Sequence, residues 1–386
     1  MTGKAEIGKA EIGKAEIGKA EIGKAEIRAE AERLFAAFQA AGAQPVEADI
    51  LLPAETLLDL YGEDIRSRAY VTRDPLRGEM MLRPDFTVPV VQAHMRGGAD
   101  PARYTYLGAV FRQQNHLGPR ASEYLQVGFE LFDRTAPEAA DAEVFALFSS
   151  LLAGLNLRPA TGDIGILLAA VRGLSTTDRR KAALLRHIWR PKRFRALLDR
   201  FSGRAAPSEA RKKLTDRLAA DDPEALIAQA GTFVGLRSAE DIAARARALT
   251  DDAATAPIAA PEAALLYDLL TLQAPAAAAL THLRGITPLL PAIHPAVDRF
   301  AARLEALQAR GIDPGTLPFE GSHGRNSLEY YDGFTFSFHA ADPELPPVAT
   351  GGRYDALTAV LGQGRSIPAV GGVIRPGLVA ALRGAA

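Results

Sequence analysis

The chain has 386 residues, 45 basic and 46 acidic, a near balance that offers no global field to a nucleic-acid or membrane partner. It has no cysteine, which excludes disulfides, thiolate nucleophiles and cysteine-ligated metals, and its seven histidines show no pair at ligand spacing, so no metal is expected. No apolar run reaches bilayer-spanning length and no secretion signal is evident, so a cytoplasmic protein with two or three domains is expected.

Residues 3–27 repeat Gly-Lys-Ala-Glu-Ile five times. Isoleucine every fifth residue advances about 140° around a helix, so no single apolar stripe forms. Each glycine costs a helix about 1 kcal/mol against alanine. Residues 1–27 therefore read as a frayed, partly helical extension. From 28 to 41 the pattern becomes globular, with Leu34, Phe35 and Phe38 on one helical face and Gly42 as a stop signal.

Residues 104–112 alternate as a strand, and 113–120 form a loop. A second strand follows, Glu123-Tyr124-Leu125-Gln126-Val127-Gly128-Phe129-Glu130-Leu131-Phe132. Leu125, Val127, Phe129 and Leu131 share one face, and Gln126, Gly128 and Glu130 share the other. An amide, a gap and a carboxylate in a row suit a small polar ligand, since glycine weakens a strand unless something approaches its backbone. A half-exposed strand with its polar face in water accounts for the same pattern, and both readings stand at this point. Helical spacing of Val144, Phe145, Phe148, Leu151, Leu152 and Leu155 predicts a helix over 141–155.

From 154 to 317 the chain turns Ala-, Arg- and Leu-rich, and a mainly helical insertion is expected. The arginines of 186–200 read first as a solvated face and second as a contact surface for another macromolecule. The final part, 318–386, returns to strands: Phe334-Thr335-Phe336-Ser337-Phe338 alternates, and glycine pairs stand at 351–352 and 371–372. Neither pair has the spacing of a nucleotide-binding loop. Strands and helices do not alternate as βαβ units would, so the expected fold is antiparallel-rich α+β, built from 28–153 and 318–386 around the insertion.

Four segments in this order resemble class II aminoacyl-tRNA synthetases, and within them the histidyl-tRNA synthetases. They are Leu82-Arg83-Pro84-Asp85-Phe86-Thr87; Phe111-Arg112 with the strand 123–132; Leu328-Glu329-Tyr330-Tyr331; and 351–355 with 369–378. The resemblance covers about 28–150 and 318–383 and implies an antiparallel sheet flanked by helices. It further implies that Asp85, Thr87 and Gln126 hold an α-amino group, and that Glu130 and Tyr331 grip an imidazole. A carboxylate and a phenol suit the two ring nitrogens. Tyr330 and Tyr354 would line the same cavity; by themselves, tyrosines there read as core packing with wetted hydroxyls. Arg112 and Arg120 are left as anion contacts.

The departures from the synthetase pattern are as informative. Asn326 stands where a catalytic arginine is needed, with Arg325 one residue out of place. Leu378 stands where an arginine should stack on adenine, Arg375 is displaced, and Pro376 is expected to break the helix there. A guanidinium shifted by several ångströms cannot stabilise a transferring phosphoryl group. Asn115, His116 and Leu117 replace charged loop positions, and the sequence ends at Ala386, where an anticodon-binding domain would begin.

A histidine-shaped pocket without adenylation residues resembles the regulatory subunits of ATP phosphoribosyltransferase, which act in the first step of histidine biosynthesis. That resemblance implies a non-catalytic, cofactor-free chain that binds L-histidine as feedback effector. It implies assembly with the short-form catalytic subunit on a class II-type dimer, with neither membrane nor tRNA as partner. The alternatives are a divergent synthetase-like enzyme activating an amino acid, and a non-enzymatic RNA-binding or scaffold protein.

Overall fold

The computed structural model describes residues 22–61, 66, 68–114, 121–231, 236–325 and 330–384. Most of the pentapeptide repeat, Asn115, His116, Leu117 and Arg120, and Asn326 with Leu328 and Glu329, lie outside the described residues. The chain divides into two compact units, one of 1–166, 271–285 and 294–386, the other of 167–270 and 286–293.

The first unit opens with α1, Lys24–Ala40, which takes in the last repeat copy. The Glu26 carboxylate accepts the Gly23 N–H at 3.1 Å, closing the helix start ahead of the expected residue 28. Ala31, Leu34 and Phe38 are its buried stripe, and Gly42, at φ +88°, turns the chain out. Strands β1 (Gln44–Pro45), β2 (Leu51–Pro53), β3 (Val71–Asp74) and β4 (Gly78–Leu82) follow, with α2 (Ala54–Tyr61) between β2 and β3. Then come α3 (Thr87–Met95), β5 (Ala102–Phe111), β6 (Glu123–Phe132), α4 (Pro137–Leu151) and β7 (Arg158–Asp163). Helix α4 starts four residues before the expected 141, because Pro137 fits a first helical turn, where no intrahelical N–H is needed.

The second unit is helical. It holds most of α5 (Ile164–Arg172), then α6 (Asp178–Arg186), α7 (Pro191–Phe201), α8 (Glu209–Ala220), α9 (Pro223–Gln229), α10 (Ala239–Ala254) and α11 (Ala260–Thr271). Leu184, Phe194, Leu198, Phe201 and Leu266 are buried in it. The Arg180 guanidinium donates to Asp252 and to the carbonyls of Thr255 and Ala256, tying α6 to the end of α10.

The chain returns to the first unit through β8 (Gln273–Pro275), α12 (Ala276–Ile286), α13 (His294–Ala309) and β9 (Pro318–Glu320). It ends with β10 (Phe334–His339), β11 (Ala349–Arg353), α14 (Asp355–Leu361), β12 (Ala369–Ile374) and α15 (Pro376–Gly384). The compact helical unit is shorter than the stretch 154–317, since β7, β8, nearly all of α12 and α13 belong to the sheet unit. Pro376 opens α15 rather than breaking a helix, for the reason given for Pro137.

Nine strands form the main sheet in the order β1-β5-β6-β12-β11-β10-β7-β9-β8, while β2, β4 and β3 form a small second sheet. All neighbours in the main sheet are antiparallel except β1 with β5 and β7 with β9. One face is covered by α1 and α4. The Phe38 ring lies 5.4 Å from Phe129 and 5.3 Å from Phe148, and Phe145 meets Phe334, Phe336 and Phe338. Each such ring contributes roughly 1.5–3 kcal/mol of burial. The other face carries Gln126, Gly128 and Glu130, and all three are buried. A strand buried on both faces removes the reading in which those polar groups point to water.

Candidate functional site

The register of β6 builds the site. Across β5, Tyr104 faces Glu130, Tyr106 faces Gly128 and Gly108 faces Gln126. Across β12, Gly371 faces Glu130 and Val373 faces Gly128. Asp85 and Thr87 arrive from the start of α3, Tyr330 and Tyr331 precede β10, and Tyr354 leads into α14. Asp85, Thr87, Arg112, Gln126, Glu130, Tyr330, Tyr331 and Tyr354 line one cavity, closed on its remaining side by Gly371, Gly372 and Val373. Seven residues singled out from sequence, Asp85, Thr87, Gln126, Glu130, Tyr330, Tyr331 and Tyr354, therefore surround one space, as does Arg112 of the two arginines. Arg120 lies outside the described residues.

Glu130 is the centre. Its Oε1 accepts the hydroxyls of Thr87 and Tyr106, each at 3.0 Å, and its Oε2 accepts the Tyr354 hydroxyl at 2.6 Å. The Tyr330 hydroxyl in turn donates to Thr87 Oγ1 at 3.3 Å. Burial pushes the Glu130 carboxyl up to about 7, while the Tyr354, Thr87 and Tyr106 hydroxyls pull the other way. Burial and the neighbouring Glu130 charge also push the phenols of Tyr106, Tyr331 and Tyr354 upward, so they stay protonated donors. Arg112 Nε donates to the Pro84 carbonyl at 2.9 Å, fixing the chain just ahead of Asp85.

Gln126 is different. It is wholly buried, yet its side-chain Nε2 and Oε1 have no hydrogen-bond partner among the described residues. A buried amide left unmade costs about 1–3 kcal/mol. Nothing in the packing of β6 calls for that expense.

The glycines are shaped to the same end. A Cβ on Gly371 would stand 1.5 Å from Glu130 Oε2, and one on Gly128 would stand 2.1 Å from the Tyr106 ring. Only a hydrogen at each position admits the carboxylate and the ring. Tyr106 is a site residue that motif comparison passed over; the signal was its alternation on β5, opposite the glycine of β6. It stacks on Phe86 at 4.5 Å between ring centroids.

The cavity itself is small, about 10 Å³, room for about one water. An amino acid needs it to widen. Among the described residues no cluster of three or more His, Asp or Glu could hold a metal, and no helix is long and apolar enough to cross a membrane.

A sequence model of the family "Histidyl-tRNA synthetase" matches residues 20–274 and 243–376. The ATP phosphoribosyltransferase regulatory subunit of Sinorhizobium medicae is 34% identical over 360 residues, covering 88% of this chain and 93% of that protein. The protein of the same name from Mesorhizobium japonicum is 33% identical over 368 residues, covering 90% and 96%. The chain belongs to the family of ATP phosphoribosyltransferase regulatory subunits. Solved structures agree on the fold. One described as an ATP phosphoribosyltransferase regulatory subunit/histidyl-tRNA synthetase from Bacillus halodurans has a TM-score of 0.66 at 20% identity, over 97% of this chain and 83% of that one. A histidine–tRNA ligase subunit from Alicyclobacillus acidocaldarius has a TM-score of 0.60 at 22% identity, over 99% of both chains. The mostly antiparallel sheet with flanking helices is thus the class II synthetase-like fold that the four sequence segments imply.

Proposed function

We propose that this regulatory subunit binds free L-histidine in the Glu130 cavity and passes that state to a short-form catalytic subunit, as feedback control of the first step of histidine biosynthesis. The observation that carries the reading is Gln126, a buried amide with neither atom paired, beside a carboxylate already surrounded by hydroxyls. The α-amino group of a small zwitterion would meet Gln126 with Asp85 and Thr87. An imidazole would meet Glu130 and the tyrosines, exchanging its N–H for one of the internal hydroxyl bonds. Because the cavity must widen first, binding is coupled to a shift of its walls, and that shift is what a partner can sense.

The chain does no chemistry of its own in this account. Leu378 occupies the first turn of α15, where the synthetase pattern needs an arginine for adenine. It would work in the cytoplasm, as a class II-type dimer joined to the catalytic subunit.

Calorimetry tests the site. L-Histidine should bind the wild-type chain, and Gln126→Ala should weaken it about tenfold or more, since a hydrogen bond to a charged group is worth about 1.5–3 kcal/mol. Equal affinity in both would place the ligand elsewhere. Histidine-dependent exchange of pyrophosphate into ATP by the same preparation, above background, would restore a synthetase activity.

A further inference from the structure

The arginines of the helical unit have no part in the pocket chemistry. Between Asp178 and Arg217 there are fourteen Lys or Arg against four Asp or Glu, in a chain whose net charge is −1. Three helices carry them. Arg179 and Arg186 are exposed on α6, Lys192, Arg193 and Arg195 on α7, and Lys212, Lys213 and Arg217 on α8. None of these eight forms an ion pair among the described residues.

The helices are held at one place. Asp252 of α10 binds Arg180 of α6 at 2.7 Å and Arg211 of α8 at 2.9 Å; α6 and α7 are in contact, and Leu184 and Phe194 are buried. The positive field is felt within the unit: burial first, then Arg190, Arg193 and Arg186, hold His187 below its usual range. Burial first, then Arg211, does the same to the Arg200 guanidinium.

We propose that the exposed face of α6, α7 and α8 docks an acidic surface of a partner protein, which, resting on the regulatory-subunit reading, is the catalytic subunit. One observation favours a protein over a nucleic acid. The patch is local, for the rest of the chain is acidic, with nine Asp or Glu against three Lys or Arg over residues 221–268 alone. A long polyanion would run from the basic face onto that acidic surface, whereas a bounded acidic patch would not. Trp189, half-buried in the turn between α6 and α7, supplies with the arginines the residue types that dominate protein hot spots.

The test uses the full chain and the short-form catalytic subunit, with assembly affinity measured at low and at physiological salt. A triple reversal, Lys192→Glu with Arg193→Glu and Arg195→Glu, should weaken assembly at least tenfold and flatten its salt dependence, while histidine binding by the isolated chain stays unchanged. Should the reversal lower the melting temperature, the neutral set Arg186→Gln, Lys212→Gln and Lys213→Gln takes its place, with weaker assembly again expected. Wild-type assembly that both sets leave untouched overturns the docking face alone. Absence of assembly by the wild-type chain overturns the regulatory reading, and the docking with it. A duplex RNA probe that binds the wild type and not the reversed variant, with assembly intact, overturns the proposal in favour of nucleic acid.

Discussion

At the scale of the residue, Glu130 decides most of the behaviour. Its carboxyl is raised to about 7 in the folded chain, so between about pH 4.5 and 7 the folded state holds a proton that the unfolded chain has lost. Stability therefore falls as pH rises through that window and is level above it, by on the order of 3 kcal/mol from this group. Asp332, raised to about 7 by burial and by Asp355, slopes the same way, so the comparison must isolate Glu130. Glu130→Gln should melt several degrees above wild type at pH 8 and level with it at pH 5, by scanning calorimetry. A variant that melts lower at both pH values would mean that the three hydroxyl bonds outweigh desolvation. Gly371 sets the space for the same group. Gly371→Ala, with its Cβ 1.5 Å from Oε2, should expel the carboxylate and abolish histidine binding, whereas retained binding would show that β12 yields without cost.

At the scale of the element, a buried ion network clamps the helices onto the sheet. Asp141 of α4 accepts from Arg303 of α13 at 3.1 Å and from Arg353 of β11 at 2.7 Å, and Arg303 also reaches Asp163 at the end of β7. Removing one partner strands buried charge, so Asp141→Ala should cost about 3–5 kcal/mol in denaturant unfolding. A loss below about 1 kcal/mol would show that water replaces the carboxylate there. None of this was legible in sequence, because the four residues come from four distant segments and only pairing register brings them together. The strand β6 was legible, since its alternation is local, but whether its polar face met water or protein was not. Tyr106 escaped for the same reason: its role depends on standing opposite Gly128. Pro376 misled because proline inside a helical pattern reads as a break, and only the end of β12 at Ile374 turns it into a first turn.

At the scale of the molecule, the two proposed tasks fall to different units. The sheet unit gathers residues 85, 87, 126, 130, 330, 331 and 354 into one cavity, an arrangement that the four sequence segments implied in outline. The helical unit carries the basic face, visible in the sequence as an arginine run that fits a solvated face or a contact surface, because exposure and ion pairing depend on how α6, α7 and α8 pack. The central claim is that the histidine sensor lies on this chain. It is tested most directly by histidine inhibition of the assembled complex, with Gln126→Ala set beside wild type. The account predicts that the variant complex assembles, turns over normally in the absence of histidine, and needs at least tenfold more histidine for half-inhibition, in line with a coupling of about 1–3 kcal/mol. Inhibition identical to wild type, in a variant whose own histidine binding is lost, would contradict it and place the sensor on the catalytic subunit.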